Sequence, residues 1–152
     1  MQVRVLLPAQ STLEAMSDFF TDRLLAKLDE TPALEALEEA IRESRKVGFD
    51  YVDDEEALRH FRSEIAEFEE AFANESPDRA NSEAGDIQVL LVELVRRRKG
   101  SLPAVTRRSA RKFLLRLNFV EKTLRERGQT WADVKWPDDI KPIWNKAKEA
   151  GL

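Results

Sequence analysis

Hydrophobic residues recur every three or four positions along most of this chain, which is the spacing of amphipathic helices. Polar or glycine-containing stretches separate the periodic segments. The pattern therefore predicts helices over residues 12–28, 32–46, 54–72, 79–98 and 102–127, followed by a short helix that carries Trp144 and Lys148. The first residues favour either a short strand or an extended arm, built from Val3, Val5, Leu6 and Leu7.

Local signals predict where several helices begin. Thr31-Pro32 is typical of a helix start, with Thr31 as N-cap and Pro32 at the first helical position. Asp53 is expected to cap the following helix, with Glu56 placed as in a capping box. The polar segment 74–81 contains a proline and indicates a short connection between two helices.

Composition narrows the class of protein. The 152 residues, 42% hydrophobic and 36% charged, with only 5 Gly and 6 Pro, suit one soluble, mostly helical domain. No apolar run is long enough to span a bilayer, and the N-terminus is too weakly apolar for a signal peptide. The absence of cysteine fits a cytoplasmic location. The net charge of −4 argues against general binding of nucleic acid.

Four carboxylates occupy informative positions in the third and fourth predicted helices. Glu64 interrupts an apolar series at the helical spacing, and Glu67 follows one turn later. Glu83 and Asp86 have the same relationship to the apolar series of the next helix. Two antiparallel helices joined by a short loop would bring the pairs face to face, as a site for a hard divalent cation. The alternative is that they are solvated helix charges, since the chain has 29 acidic residues. The two apolar series are Ala57, Phe61, Phe68 and Ala71 or Phe72, and Ala80, Ala84, Ile87, Leu90 or Leu91 and Leu94.

These motifs resemble the MazG family of nucleoside triphosphate pyrophosphohydrolases. The fingerprint of that family, Glu-Glu-x-x-Glu followed after a spacer by Glu-x-x-Asp, is similar to residues 63–67 and 83–86. Further segments with matching order and spacing are residues 45–51, 112–113, 116, 120–121, 127–128, 143–144 and 148. The resemblance covers about residues 32–150. It implies an all-α protein with a MazG-like four-helix-bundle core (residues 32–152), an N-terminal extension with an additional helix (residues 1–31) and a short C-terminal helix.

The resemblance also implies an activity. Family members cleave nucleoside triphosphates between the α- and β-phosphates to give a monophosphate and pyrophosphate, a reaction suited to removing unwanted nucleotides. Glu64, Glu67, Glu83 and Asp86 would hold Mg²⁺, with Mn²⁺ as a possible substitute, and would serve catalysis. The family assembles as homodimers or larger homo-oligomers, and the same is expected here.

Several cationic and aromatic residues are candidates for contacts with the substrate. Lys112 and Arg116 lie one turn apart in the fifth predicted helix, and Arg79 lies one turn before Glu83. These three and Lys148 are predicted to bind phosphates, although most residues of such basic runs are solvated. Trp144 and His60 are candidates for contact with the base or ribose. The alternatives are that Trp144 is a core anchor, and that His60 is a surface residue or a contact to phosphate or metal.

Four positions depart from the family pattern, and one of them is His60, which stands in place of a basic residue four positions before Glu64. Ser63 replaces the first glutamate of the fingerprint, Ala110 replaces a frequent asparagine, and Asn118 replaces a frequent arginine. These last three departures motivate an alternative, a degenerate MazG-like module that binds nucleotides or a partner without turnover. A plain helical interaction domain is the third possibility.

Overall fold

The computed structural model describes residues 19–152, and over that range the chain is helical without a strand. The prediction of an all-α protein is confirmed, whereas the arrangement of four helices in one bundle stays a prediction. The predicted N-terminal strand and the first part of the predicted 12–28 helix lie outside the described residues. The helices are α1 (Phe20–Leu28), α2 (Ala33–Lys46), α3 (Asp54–Asn74), α4 (Pro77–Arg97), α5 (Leu102–Glu126) and α6 (Ile140–Glu149), with a 3₁₀ turn at Trp131–Asp133.

Helices α3 and α4 form an antiparallel hairpin. Only Glu75 and Ser76 separate the two helices, and Arg97 Nη1 at the end of α4 donates to Asp54 Oδ1 at the start of α3, over 2.9 Å. Near the turn, Ala71 and Ala80 are both buried, and their small side chains leave room for the two helices to approach closely. The two helices are therefore joined at the open end of the hairpin as well as at its turn.

Helix α2 packs against α4, and α1 packs against α2. The core between α2 and α4 contains Ile41 and Val92, together with Leu102 at the start of α5. An exposed ion pair of 2.7 Å joins Lys27 of α1 to Glu39 of α2. These four helices and Leu102 belong to one compact unit, which ends at residue 102.

Residues 103–152 form a second compact unit. Its core is built from Val120 and Leu124 of α5, Val134 and Ile143. Gly128, with φ of +67°, ends the long helix, and the N–H of the next residue bonds back to the carbonyl of Leu124 over 2.9 Å. This is the glycine C-cap geometry in which a side chain would be strained.

The predicted cap of α3 is confirmed. Asp53 Oδ1 accepts the Glu56 N–H over 2.7 Å, and Glu56 Oε2 in turn accepts the N–H of Val52 over 2.7 Å. The return bond reaches one residue further back than in a standard capping box.

Two predicted helix starts were wrong. Segment 74–81 is not a connection, because α4 begins at Pro77 with Ser76 as its N-cap. A proline lacks the N–H that a first helical residue leaves unpaired, so Pro77 favours the start rather than breaking the helix. Thr31 is not the cap of α2, since that helix begins at Ala33 and Pro32 takes the cap position. In the described part of the chain, no helix has the length and apolar character required to cross a membrane.

Candidate metal centre

The α3–α4 hairpin brings three predicted carboxylates together. Glu64 of α3 and Glu83 and Asp86 of α4 each contribute an oxygen, and these three oxygens lie within 4.8 Å of one another. The antiparallel register explains the convergence, because both helix segments lie at the same level of the hairpin. Carboxylate oxygens at this separation are the donor set that Mg²⁺, Mn²⁺ and Ca²⁺ prefer.

The three carboxylates differ in burial. Glu83 is 2% exposed, whereas the side chain of Glu64 is 14% exposed and Asp86 is open to solvent. The cluster therefore has a buried floor and one side that faces solvent. Such a site can admit a cation and a second ligand without opening the helices.

Glu83 is a buried carboxylate that forms an ion pair with Arg79. Its Oε1 is buried and has no hydrogen-bond partner, although Nη2 of Arg79 lies 2.5 Å away as an ion pair. Burial raises the pKa of Glu83, as do the negative charges of Glu67, Asp86 and Glu64, while Arg79 opposes them. An additional cation would stabilise this carboxylate, since isolated buried charge is costly.

Glu67, the fourth predicted ligand, lies outside the cluster of three. Its carboxylate is exposed and accepts a long hydrogen bond of 3.4 Å from Ser63 Oγ. Its charge nevertheless contributes to the raised pKa of Glu83. Glu67 is therefore close enough to add negative potential, and its role as a ligand stays a prediction.

His60 contacts the cluster through Glu64. Its Nε2 is 2.9 Å from Glu64 Oε1, and its Nδ1 is 2.6 Å from the hydroxyl of Tyr51. Both ring nitrogens are thus engaged by protein groups. The predicted contact of His60 with a base or ribose stays a prediction.

A buried ion-pair cluster lies beside Tyr51, and sequence reasoning did not find it. Glu93 is 1% exposed and pairs with Arg45, Arg96 and Arg97 at 2.7–3.1 Å. Burial raises the pKa of Glu93, but hydrogen bonds from the three arginines outweigh it and hold the pKa below its ordinary value. The detectable signal was an acidic residue inside an apolar run, followed at helical spacing by arginines.

The predicted phosphate-binding residues divide between the two units. Arg79 belongs to the hairpin and contacts Glu83. Lys112, Arg116 and Lys148 lie in the second unit, where they line one groove of about 430 Å³. Arg108 and Arg111 add two cations to that groove.

Trp144 packs against the core of the second unit and is only partly buried. Its ring centroid is 5.5 Å from that of Phe113, and the Arg116 guanidinium carbon is 5.7 Å from the indole. Arg116 Nε also donates to the carbonyl of Leu152 over 2.7 Å. Trp144 thus has a packing role, which was the alternative interpretation, and its contact with a base stays a prediction.

Comparison of the chain with models of known protein families finds no match, and comparison with curated proteins also finds none. The resemblance to the MazG family therefore rests on its motifs, their order and their spacing in the sequence.

Proposed function

We propose that this protein is a divalent-cation-dependent hydrolase that cleaves nucleoside triphosphates between the α- and β-phosphates. The observation that carries the proposal is the convergence of Glu64, Glu83 and Asp86, because Glu83 is buried and one of its oxygens has no hydrogen-bond partner. The sequence resemblance to the MazG family supplies the reaction class. Mg²⁺ is the expected cation, because it binds carboxylates and phosphates together.

The residues present fit such an ion. All three converging donors are hard oxygens, and the buried Oε1 of Glu83 has no hydrogen-bond partner, with Arg79 as its ion-pair partner. Glu64, Glu83 and Asp86 would hold the cation, with Glu67 as a possible fourth ligand. When bound, Mg²⁺ neutralises phosphate charge and lowers the pKa of a bound water.

Arg79 is suited to change partners when a cation binds to Glu83. Its side chain is 51% exposed and has two carboxylate partners, Glu83 at 2.5 Å and Glu75 at 3.7 Å. Once a cation neutralises the negative charge of Glu83, the Arg79 guanidinium is free to turn toward a phosphate. An arginine can donate two hydrogen bonds to phosphate oxygens, which would orient the substrate.

The groove of the second unit is proposed, by itself, as a phosphate-binding surface. Lys112 and Arg116 lie on α5 and Lys148 on α6, and all three line it. A concentration of cations in one groove favours a polyanion such as a triphosphate or pyrophosphate. We propose a homodimer or larger homo-oligomer as the working state, on the basis of the sequence resemblance.

The proposal is tested by turnover of a panel of ribo- and deoxynucleoside triphosphates with Mg²⁺, Mn²⁺ or chelator. Pyrophosphate and orthophosphate are measured separately. Metal-dependent release of pyrophosphate is expected, and Glu64→Gln should abolish it while preserving the circular dichroism spectrum. Glu69→Gln, an exposed glutamate on the same helix, is the matched control and should retain full activity.

A second candidate is a module that binds nucleotides without turnover. The favouring observation is that three carboxylates converge while Glu67 stands apart, next to Ser63 in place of the first glutamate of the fingerprint. Release of orthophosphate alone would contradict α–β cleavage. Nucleotide binding without any product would favour this second candidate.

A further inference from the structure

A chain of hydrogen bonds runs from Tyr51 through His60 to Glu64. The Tyr51 hydroxyl is 2.6 Å from Nδ1 of His60, and Nε2 of His60 is 2.9 Å from Oε1 of Glu64. Tyr51 lies in the loop before α3, while His60 and Glu64 are one turn apart within α3. A loop residue is thereby connected to a carboxylate of the candidate metal centre.

The chemistry of the groups fixes the direction of these bonds. An ionised carboxylate only accepts, so Nε2 of His60 must carry the hydrogen. In the neutral ring, Nδ1 is then the acceptor, and it receives the hydroxyl hydrogen of Tyr51. A phenol hydroxyl is protonated at neutral pH, and burial raises the pKa of Tyr51 further. Both donors therefore point toward Glu64.

Tyr51 is itself held by the buried ion-pair cluster around Glu93. The guanidinium carbons of Arg45 and Arg97 lie 5.4 and 5.8 Å from the centroid of the Tyr51 ring. Arg97 Nη2 also donates to the backbone carbonyl of Tyr51 over 3.1 Å. Both arginines pair with the buried carboxylate of Glu93. The loop residue is thus attached to α2 and α4 rather than to α3 alone.

This attachment matters because the His60 side chain is 47% exposed. An exposed imidazole on a helix has several rotamers, and holding one of them costs conformational entropy. The Tyr51 hydroxyl selects the rotamer in which Nε2 faces Glu64. Hydrogen-bonded partners of this kind orient metal-binding carboxylates and tune their affinity.

We propose that Tyr51 and His60 are positioning residues that hold the Glu64 carboxylate ready for a divalent cation. This inference rests on the proposed function, because it takes Glu64 to be a ligand. It assigns to the ion-pair cluster around Glu93 the role of a rigid support for the metal centre. Neither residue needs to touch the nucleotide.

The inference is tested by Mg²⁺ titration calorimetry on the full chain at one fixed pH. Tyr51→Phe removes only the hydroxyl and keeps the ring over Arg45 and Arg97, so affinity should fall about 2- to 10-fold. His60→Ala should lower affinity about 10- to 100-fold. The double variant should bind as His60→Ala does, since Tyr51 acts through His60. His60→Gln retains an N–H donor and should recover part of the loss.

Arg62→Ala is the matched control, because Arg62 lies on the same helix and makes only an exposed ion pair with Glu55. It should bind Mg²⁺ as the wild type does. Circular dichroism checks that every variant folds. His60 is the only histidine of the chain, so nitrogen NMR reads its tautomer without ambiguity. The hydrogen is expected on Nε2.

The outcomes distinguish the positioning role of Tyr51 and His60 from the presence of a metal centre. If the wild type binds Mg²⁺ and both Tyr51→Phe and His60→Ala bind equally well, the positioning role is overturned while the metal centre stands. An Nε2 of His60 without a hydrogen also overturns it. If the wild type binds no divalent cation, the positioning role and the proposed function fail together.

Discussion

Arg79 and Glu83 lie one turn apart on α4, and the guanidinium nitrogen Nη2 is 2.5 Å from the buried oxygen Oε1 of the carboxylate. The arginine thus supplies positive charge at the floor of the acidic cluster. A divalent cation held by Glu83 would compete with this arginine for the same carboxylate. Arg79 is therefore both a support for the cation-free protein and a competitor of the cation.

Replacing Arg79 should make cation binding tighter. Arg79→Gln removes a competing, half-exposed charge, so Mg²⁺ affinity measured by calorimetry at pH 8 is expected to rise about 2- to 5-fold. The KM for nucleotide should rise as well if the arginine also contacts phosphate. Weaker Mg²⁺ binding by the variant would contradict the competition. Arg62→Gln on α3 serves as the charge-matched control.

Neutralising Glu83 should stabilise the protein in the absence of cations. Because burial and neighbouring carboxylates raise the pKa of Glu83, its ionisation destabilises the folded state as pH rises through that pKa. Glu83→Gln removes this effect, and Arg79 keeps Glu75 as a partner. With chelator at pH 8, the Tm of the variant should exceed that of the wild type. Mg²⁺ should raise the Tm of the wild type and leave that of the variant unchanged.

A lower Tm of Glu83→Gln in chelator would show that the pairing with Arg79 outweighs the cost of burial. Glu69→Gln on the exposed face of α3 controls for a general loss of negative charge. Its Tm should respond to Mg²⁺ as that of the wild type does.

Glu93 should make the free energy of unfolding depend on pH in the acid range. In the folded protein, the pKa of Glu93 is held below the ordinary value of 4.5. The ionised carboxylate therefore contributes its full stabilisation above pH 4.5, and this stabilisation is lost as the pH falls through the folded-state pKa. Glu93→Gln leaves three arginines without their shared carboxylate, at a cost of about 3 kcal/mol at pH 7. Urea unfolding should show the two proteins converging in stability below pH 4.5. A constant difference between them at all pH values would contradict the linkage.

Two glycines should respond to alanine with opposite signs. Gly128→Ala places a side chain at φ of +67° and should destabilise the fold by about 1 kcal/mol. Gly85→Ala lies inside α4, where no atom is within 4 Å of the added methyl group, and should stabilise by about 0.5–1 kcal/mol. Urea unfolding of both variants provides the test. A destabilising Gly85→Ala would reveal a contact at that position.

Local signals explain how much of the fold was predictable. The bounds of α5 were predicted within one residue, because Gly128 is a stop signal that acts on its own neighbours. The Asp53 cap was predicted for the same reason. Pro77 was misinterpreted because a proline both ends and begins helices, and only the preceding Ser76 distinguishes the two cases.

Part of the candidate site was predictable and part was not. The carboxylates of α3 and α4 follow from helical periodicity and a short connection, and three of them converge. Phe72, an alternative member of the apolar series, is instead 76% exposed, and the neighbouring Ala71 takes the buried position. The pairing of Glu93 with Arg45 joins residues 48 positions apart, and no local pattern encodes such a contact.

The two-residue turn between α3 and α4 has a consequence for how the protein folds. Contacts between helices that are adjacent in sequence form early, because closing a short loop costs little chain entropy. In this hairpin, the same closure forces like charges together before the rest of the chain is in place. A divalent cation would relieve that repulsion at the moment of closure. Such an ion would act on the order of folding events as well as on the finished molecule, and cation binding and chain collapse would become one step.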